Sequence, residues 1–247
     1  MHGSERFSQI MVLRTSPKVT HRLICFAHAG AGASFFKPWA NSLEDHIELC
    51  AVQLPGRENF YSQPLITSFE DVMDLILPGL LRLSDLPYAF FGHSFGGLLA
   101  FEATCRLAAH TSTPKILAVS AVRAAHLPDT RKLASLPDAE LLESISDLGG
   151  SPASAMKNPE LMQIALPILR ADFACIESYT RPPENVRITP AIWACGGAAD
   201  PWVNTQSLGA WSRHAGGDFK LRLYPGGHFY VTEHGPSLAA DISLMLS

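Results

Sequence analysis

The segment Gly92-His93-Ser94-Phe95-Gly96 sets a serine between two glycines, each two positions away. That spacing suits a strand that turns abruptly into a helix and leaves a hydroxyl exposed at the corner. Side chains at the flanking positions would collide in so tight a turn. The apolar residues 88–91 supply the strand, and 97–102 supply the helix. The competing reading is a glycine-rich structural turn. A serine hydroxyl attacks acyl groups only if a base takes its proton and an acid orients that base.

The carboxyl ends of parallel strands are where an open α/β sheet gathers its reactive groups, and this rule filters the candidates. His228 follows the apolar run 219–224 through Pro225-Gly226-Gly227, the best setting among the ten histidines. His93 belongs to the turn itself, and His28 follows the first run in a loop. Asp200 follows the run 191–195 through Gly196-Gly197-Ala198-Ala199. Asp218 precedes a run and belongs at the opposite end of the sheet. The alternative roles are a structural histidine at His228 and a helix cap at Asp200. The order Ser94, Asp200, His228 is that of an α/β-hydrolase, not of the common serine proteases. An oxyanion would be met by the Phe95 N–H and by a second donor from the small-residue loop 28–34. Ala29 is the first choice there and Gly30 the alternative. That loop lacks the patterns of a phosphate or dinucleotide cradle.

Six short apolar runs, 23–27, 47–53, 88–91, 116–119, 191–195 and 219–224, alternate with helix-like segments. Mostly continuous apolar runs are expected of strands buried on both faces of a parallel sheet. The run 219–224 alternates through Lys220 and Arg222 and is expected nearer an edge. Thr67-Ser68-Phe69-Glu70 reads as a capping box with Thr67 as the cap, and Pro78 is expected to kink or end the helix that follows. Asn158-Pro159-Glu160 reads as an N-cap followed by a first-turn proline. The expected fold is a single α/β domain over 1–247, its mainly parallel sheet flanked by helices. No strand is evident from 121 to 190. Helical stretches at 138–148 and 158–179 suggest a lid insertion at about 125–185, packed over the carboxyl ends of the strands.

Hydrophobic residues make up 47% of the 247, and charged residues 17%, which excludes a disordered chain and a coiled coil. The net charge of −4, with no basic run, argues against nucleic-acid binding. No apolar stretch is long enough for a membrane span, and no secretory signal is evident. Cys25, Cys50, Cys105, Cys175 and Cys195 are odd in number, widely spaced and without a CxxC. Buried inert thiols in a reducing cytoplasm are expected, with neither a disulfide framework nor a metal site.

Several segments in order carry a family resemblance: Phe26-Ala27-His28-Ala29-Gly30, Gln53-Leu54-Pro55-Gly56-Arg57-Glu58, Gly92–Gly97, Leu169-Arg170-Ala171-Asp172-Phe173, 196–203 and Gly226-Gly227-His228-Phe229. Together they resemble the type II thioesterases of nonribosomal peptide and polyketide synthesis, from about residue 22 onward. Leu-Pro-Gly-Arg-Glu is the most specific of these segments. The resemblance implies a stand-alone α/β-hydrolase that removes misprimed or stalled acyl groups from the phosphopantetheine arms of synthase carrier domains. It implies catalytic Ser94, Asp200 and His228, oxyanion donors Ala29 and Phe95, and a lid in the helical insertion. The expected partners are acyl or peptidyl carrier domains supplied in trans. No cofactor of the enzyme's own is expected, and a monomer is the expected state. Departures at Ala27, Ala31 and 120–125 fall around the acyl pocket and leave the three catalytic candidates in place. The residues 53–58 are read either as a turn with a surface ion pair or as a loop framing the site, in which Arg57 could meet phosphate or carrier acids. Asp172 is read as a helix-surface or lid-anchoring group. The alternatives in function are a medium-chain fatty acyl thioesterase, a small-molecule serine esterase and a noncatalytic binding module.

Overall fold

The structure is a computed structural model, and it describes residues 9–110, 113–149 and 158–246. Seven strands form one sheet: β1 (Ile10–Arg14), β2 (His21–Phe26), β3 (Ile47–Val52), β4 (Tyr88–His93), β5 (Ile116–Ser120), β6 (Ala191–Gly197) and β7 (Phe219–Tyr224). Their order is β1-β3-β2-β4-β5-β6-β7. Only β1 runs antiparallel to its neighbour, β3. The six sequence-derived strands are therefore all present, with β7 at an edge as expected. β1 is an addition, a half-exposed edge strand.

The helices are α1 (Phe69–Arg82), α2 (Phe95–Leu107), α3 (Asp138–Ser146), α4 (Pro159–Ser178), α5 (Thr205–Gly209) and α6 (Val231–Leu246). Alternate strand residues feed two cores. Ile24, Phe90 and Leu117 point to the side covered by α1 and α2. Leu23, Cys25, Ala89 and Phe91 point to the side covered by α6 and the 3₁₀ helix Ala33–Ser42. This two-sided burial is why the runs read as continuous.

Two helix details differ from expectation. The cap of α1 is Ser68, whose hydroxyl accepts from the Asp71 N–H at 3.4 Å. Glu70 does not close a box with Thr67 but pairs with Arg106 at 2.6 Å. Pro78 does not end the helix, which runs on to Arg82. Pro78 and Asp74, the residue whose carbonyl loses its partner, are both on the exposed face. Water can satisfy that carbonyl while Val72, Met73, Ile76 and Leu80 hold the buried face. At α4, Asn158 caps as expected, accepting from the N–H groups of Glu160 and Leu161.

Between β5 and β6 no strand occurs among the described residues. Leu133, Leu141 of α3 and Phe173 of α4 form a small apolar cluster with Ala29 and Trp202. Those contacts bring this stretch against loops at the carboxyl ends of β2 and β6. None of the helices described is long and apolar enough to cross a membrane.

Candidate active site

Ser94 sits between β4 and α2 with φ 53° and ψ −118°. A non-glycine residue there is strained, and such strain persists only where the surroundings impose it. They do so here. A Cβ on Gly92 would collide with the Gly96 backbone, and one on Gly96 would collide with the Phe26 carbonyl of β2. The Ser94 N–H donates to the Ser120 carbonyl at 2.7 Å, and the Ser94 carbonyl accepts from the Gly97 N–H at 2.9 Å.

Asp200 and His228 come from adjacent loops that are joined through their backbones. The Ala198 N–H donates to the Tyr224 carbonyl, and the Ala199 N–H donates to the Gly226 carbonyl. A side chain at Gly197 would strike the Gly227 carbonyl, so glycine permits the two loops to meet. Asp200 Oδ1 accepts from the Trp202 and Val203 N–H groups at 2.8 and 3.1 Å. Asp200 thus also caps the turn that follows, one of the roles weighed for it. Its Oδ2 lies 2.8 Å from His228 Nδ1. An ionised carboxylate only accepts, so Nδ1 carries the proton and Nε2 presents its lone pair. Both side chains are almost wholly buried, His228 at 2% exposure and Asp200 at 0%. Asp218 precedes β7 and lies at the opposite end of the sheet, beside Lys115 and Ala191.

Ser94, Phe95 and His228 line one cavity together with Leu98, Val122, Leu133, Phe173, Ile176, Trp202 and Val203. It holds about 580 Å³ of empty space, part of it open to solvent. Ala29 packs against the Leu133–Phe173 cluster. The choice between Ala29 and Gly30 is narrowed by Asp172, whose Oδ2 accepts from the Gly30 N–H at 2.7 Å. Gly30 spends its donor on holding the loop.

That carboxylate overturns the surface readings of two residues. Asp172 of α4 is 1% exposed and Arg57 is 5% exposed. Their two parallel contacts, 2.6 and 2.7 Å, make a bidentate pair. Arg57 is therefore neither a surface ion-pair partner nor open to phosphate. The loop reading of 53–58 fits. Gln53, fully buried, accepts from the Ala33 N–H and donates to the Leu54 and Arg57 carbonyls. The Glu58 carboxylate accepts from the Ser34 hydroxyl at 2.5 Å.

A buried polar chain lies behind the nucleophile. His93 Nδ1 is 2.8 Å from Ser120 Oγ, which is 2.7 Å from Tyr230 Oη. The rings of His28 and His93 meet edge-on at 5.6 Å, and those of His93 and His228 lie 5.3 Å apart. Burial, aided by the charge His228 can carry, pushes His28 down to about 3. Burial likewise pushes His93 well below the ordinary histidine range. Both stay neutral beside His228. Burial also pushes the thiols of Cys50, Cys105 and Cys175 up to about 12, which leaves them unreactive at neutral pH.

Ser120 and Arg123, at the end of β5, stand in the segment 120–125 that departs from the family pattern, and the sequence assigns neither a role of its own although the strand-end rule applied to them. Tyr230 lay two residues past His228 with no signal of its own.

The thioesterase domain family matches residues 21–245. The chain is 33% identical over 225 residues to the probable cadicidin biosynthesis thioesterase of Streptomyces griseus, covering 91% of this chain and 62% of that protein. It is 35% identical to the gramicidin S biosynthesis protein GrsT of Aneurinibacillus migulanus, covering 86% of this chain and 83% of GrsT. Among solved structures, the type II thioesterase BorB of the borrelidin cluster superposes with a TM-score of 0.88 at 33% identity. The match covers 97% of this chain and 98% of BorB. Sheet order, cavity and sequence agree: the chain belongs to the thioesterase family, as an α/β-hydrolase similar to the type II thioesterases.

Proposed function

We propose that this thioesterase acts in trans in the cytoplasm, hydrolysing misprimed or stalled acyl and aminoacyl groups from the phosphopantetheine arms of synthase carrier domains. The observation that carries it is His228. One ring nitrogen is held by buried Asp200, and the residue shares its cavity with the strained Ser94.

In this reading Ser94 Oγ attacks the thioester carbonyl while His228 Nε2 takes its proton. Asp200 holds the imidazole and offsets its charge. The tetrahedral oxyanion accepts from the N–H groups of Phe95 and Ala29. Collapse breaks the C–S bond, and His228 returns the proton to the departing pantetheine sulfur. His228 then deprotonates a water that attacks the acyl-serine, releasing the free acid and regenerating Ser94. No step uses a metal or a cofactor of the enzyme. Neutral His28 and His93 avoid placing a second positive charge beside His228. The described parts of the stretch, 125–149 and 158–185, serve as a lid, because Phe173, Ile176 and Leu133 wall the cavity that holds Ser94; its residues 150–157 lie outside the described residues.

The experiment is hydrolysis of one acyl group presented on carrier protein and on free pantetheine, with Ser94→Ala as the blank. A higher kcat/KM on the carrier is expected. Equal rates would remove carrier recognition, and unchanged turnover in Ser94→Ala would remove the nucleophile. Covalent labelling of Ser94 by a fluorophosphonate separates enzyme from binding module.

A further inference from the structure

The cavity around Ser94 is not wholly apolar. Three guanidiniums, Arg123, Arg131 and Arg181, line it beside two carboxylates, Asp129 and Glu177. The pairing is uneven. Asp129 is taken by Arg131, with contacts of 2.9 and 2.5 Å, and Arg131 lies 3.8 Å above the Trp202 ring. Glu177 accepts from the Ala134 N–H at 2.9 Å and faces Lys132 at 3.9 Å. Arg123 reaches only carbonyls, those of Pro128 at 2.7 Å and Trp202 at 3.3 Å. Arg181 reaches the Ala125 carbonyl at 3.5 Å. Among the described residues, no carboxylate lies within salt-bridge distance of Arg123 or Arg181. Arg123 Nε and Arg131 Nη1 are buried without a hydrogen-bond partner among those residues.

We infer that Arg181, supported by Arg123, makes the acyl cavity a subsite for acyl groups whose tail carries a carboxylate, as in half-thioesters of dicarboxylic acids. The inference rests on the hydrolase reading of Ser94. Arg181 is partly withdrawn from water, and the carboxylate that attracts it, Asp129, spends its direct contacts on Arg131, so folding has removed hydration without supplying Arg181 a salt bridge. An anionic tail restores a charge-assisted hydrogen bond there. A neutral alkyl tail strips the remaining water and gives nothing back, and a cationic tail adds repulsion. Burial, reinforced by repulsion from Arg123 and Arg131, outweighs the attraction of Asp129 and Tyr179 and holds Arg181 below the ordinary arginine range. The charged lining totals three cations against two anions, while the whole chain carries −4. The cavity therefore runs against the sign of the protein that contains it.

The test compares pantetheine thioesters of glutarate and of 5-oxohexanoate, a neutral isostere with a methyl in place of one carboxylate oxygen. Wild type should favour glutaryl by about 10-fold or more in kcat/KM, the scale of one charge-assisted hydrogen bond. The ratio should fall toward one in Arg181→Gln and partly recover in Arg181→Lys. A wild-type ratio of one or below, or a ratio unchanged in Arg181→Gln, overturns the inference. The same two tails, as non-hydrolysable pantetheine amides, are titrated calorimetrically into Ser94→Ala. Tighter binding of the glutaryl amide supports the subsite, and equal affinity overturns it. If neither thioester is hydrolysed, the hydrolase reading fails while calorimetry still decides the subsite. If Arg181→Gln does not fold, the wild-type ratio and the calorimetry decide it.

Discussion

Asp172 and Asp200 are both buried carboxylates whose chain neighbours, Phe173 and Trp202, line the same cavity, and they differ in the cation each holds. Asp172 grips Arg57, a partner that never loses its charge, in a two-point contact that also fixes Gly30. Asp200 holds His228 through one nitrogen, and that partner can gain and lose a proton at the other. The first arrangement fixes a shape: α4, the 53–58 loop and the 28–34 loop meet at one permanent ion pair. The second leaves a proton free to move. Similar burial of similar groups thus serves architecture in one place and chemistry in the other.

The sharpest way to break this contrast is to exchange charge for amide at each carboxylate. Asp200→Asn can still accept from Trp202 and Val203 but sets an amide against His228. Turnover should fall by about 10³–10⁴-fold, the scale of losing an orienting acid in a Ser-His-Asp enzyme, with the fold retained. Steady-state kinetics beside a thermal melt checks this. A loss within 10-fold would place Asp200 among the purely structural groups.

At the other carboxylate, Arg57→Met strands the Asp172 charge and should destabilise the fold by about 3–5 kcal/mol in urea unfolding. The double variant Arg57→Met/Asp172→Leu should be more stable than Arg57→Met alone, because no unpaired charge remains. A single variant as stable as wild type would show that the pair does not hold the three segments.

The neutral histidines give a smaller, pH-dependent effect. His28 binds a proton near 6.5 when unfolded and only near 3 when folded. Its contribution is therefore present above about pH 6.5 and is lost as the pH falls from there toward 3. The slope is about 1.4 kcal/mol per pH unit for one proton, so roughly 2 kcal/mol separates pH 6.5 from pH 5. His28→Phe should flatten the stability profile by that amount in urea melts. An identical slope in the variant would mean that His28 is not held neutral.

Tyr230→Phe should have the least effect, about 1 kcal/mol of stability for one hydrogen bond to Ser120. Turnover should fall by less than about 10-fold, since Ser120 still meets His93. A larger loss would assign the Ser120–Tyr230 contact to the reaction rather than to holding the turn.

Five of the six parallel strands were legible because burial on both faces leaves an apolar run in the sequence, and β7, largely exposed, was legible from its alternation through Lys220 and Arg222. β1 was not, because Met11–Arg14 of this edge strand are half-buried or exposed, and its pairing depends on β3 nearly forty residues away. Ser94, Asp200 and His228 could be picked out by strand-end position, a rule that follows from topology alone. Arg57 and Asp172 could not be paired by any such rule, since 115 residues separate them and only α4 returning over the 28–34 loop brings them together. The cap on α1 slipped by one residue because Thr67 and Ser68 have the same chemistry, and the backbone selects between them. Arg131 and Arg181 lie outside the family motifs and Arg123 lies in the departing segment 120–125, and their unequal pairing appears only once the loop after β5 is folded against Trp202.

The glycine contacts beneath Ser94 also bear on what the five-residue motif can do by itself. Only glycine fits at 96 because that position backs onto the Phe26 carbonyl, and only glycine fits at 92 because it backs onto Gly96. The nucleophile's strained backbone is thus a joint between β2, β4 and α2, elements drawn from positions about seventy residues apart. A short peptide carrying the five-residue motif has nothing to hold that conformation. The corner is held in place by the nonlocal β2–β4 pairing, in which Phe26 stands opposite Gly92. The reactive conformation of the serine is thereby a property of the assembled sheet and not of the motif.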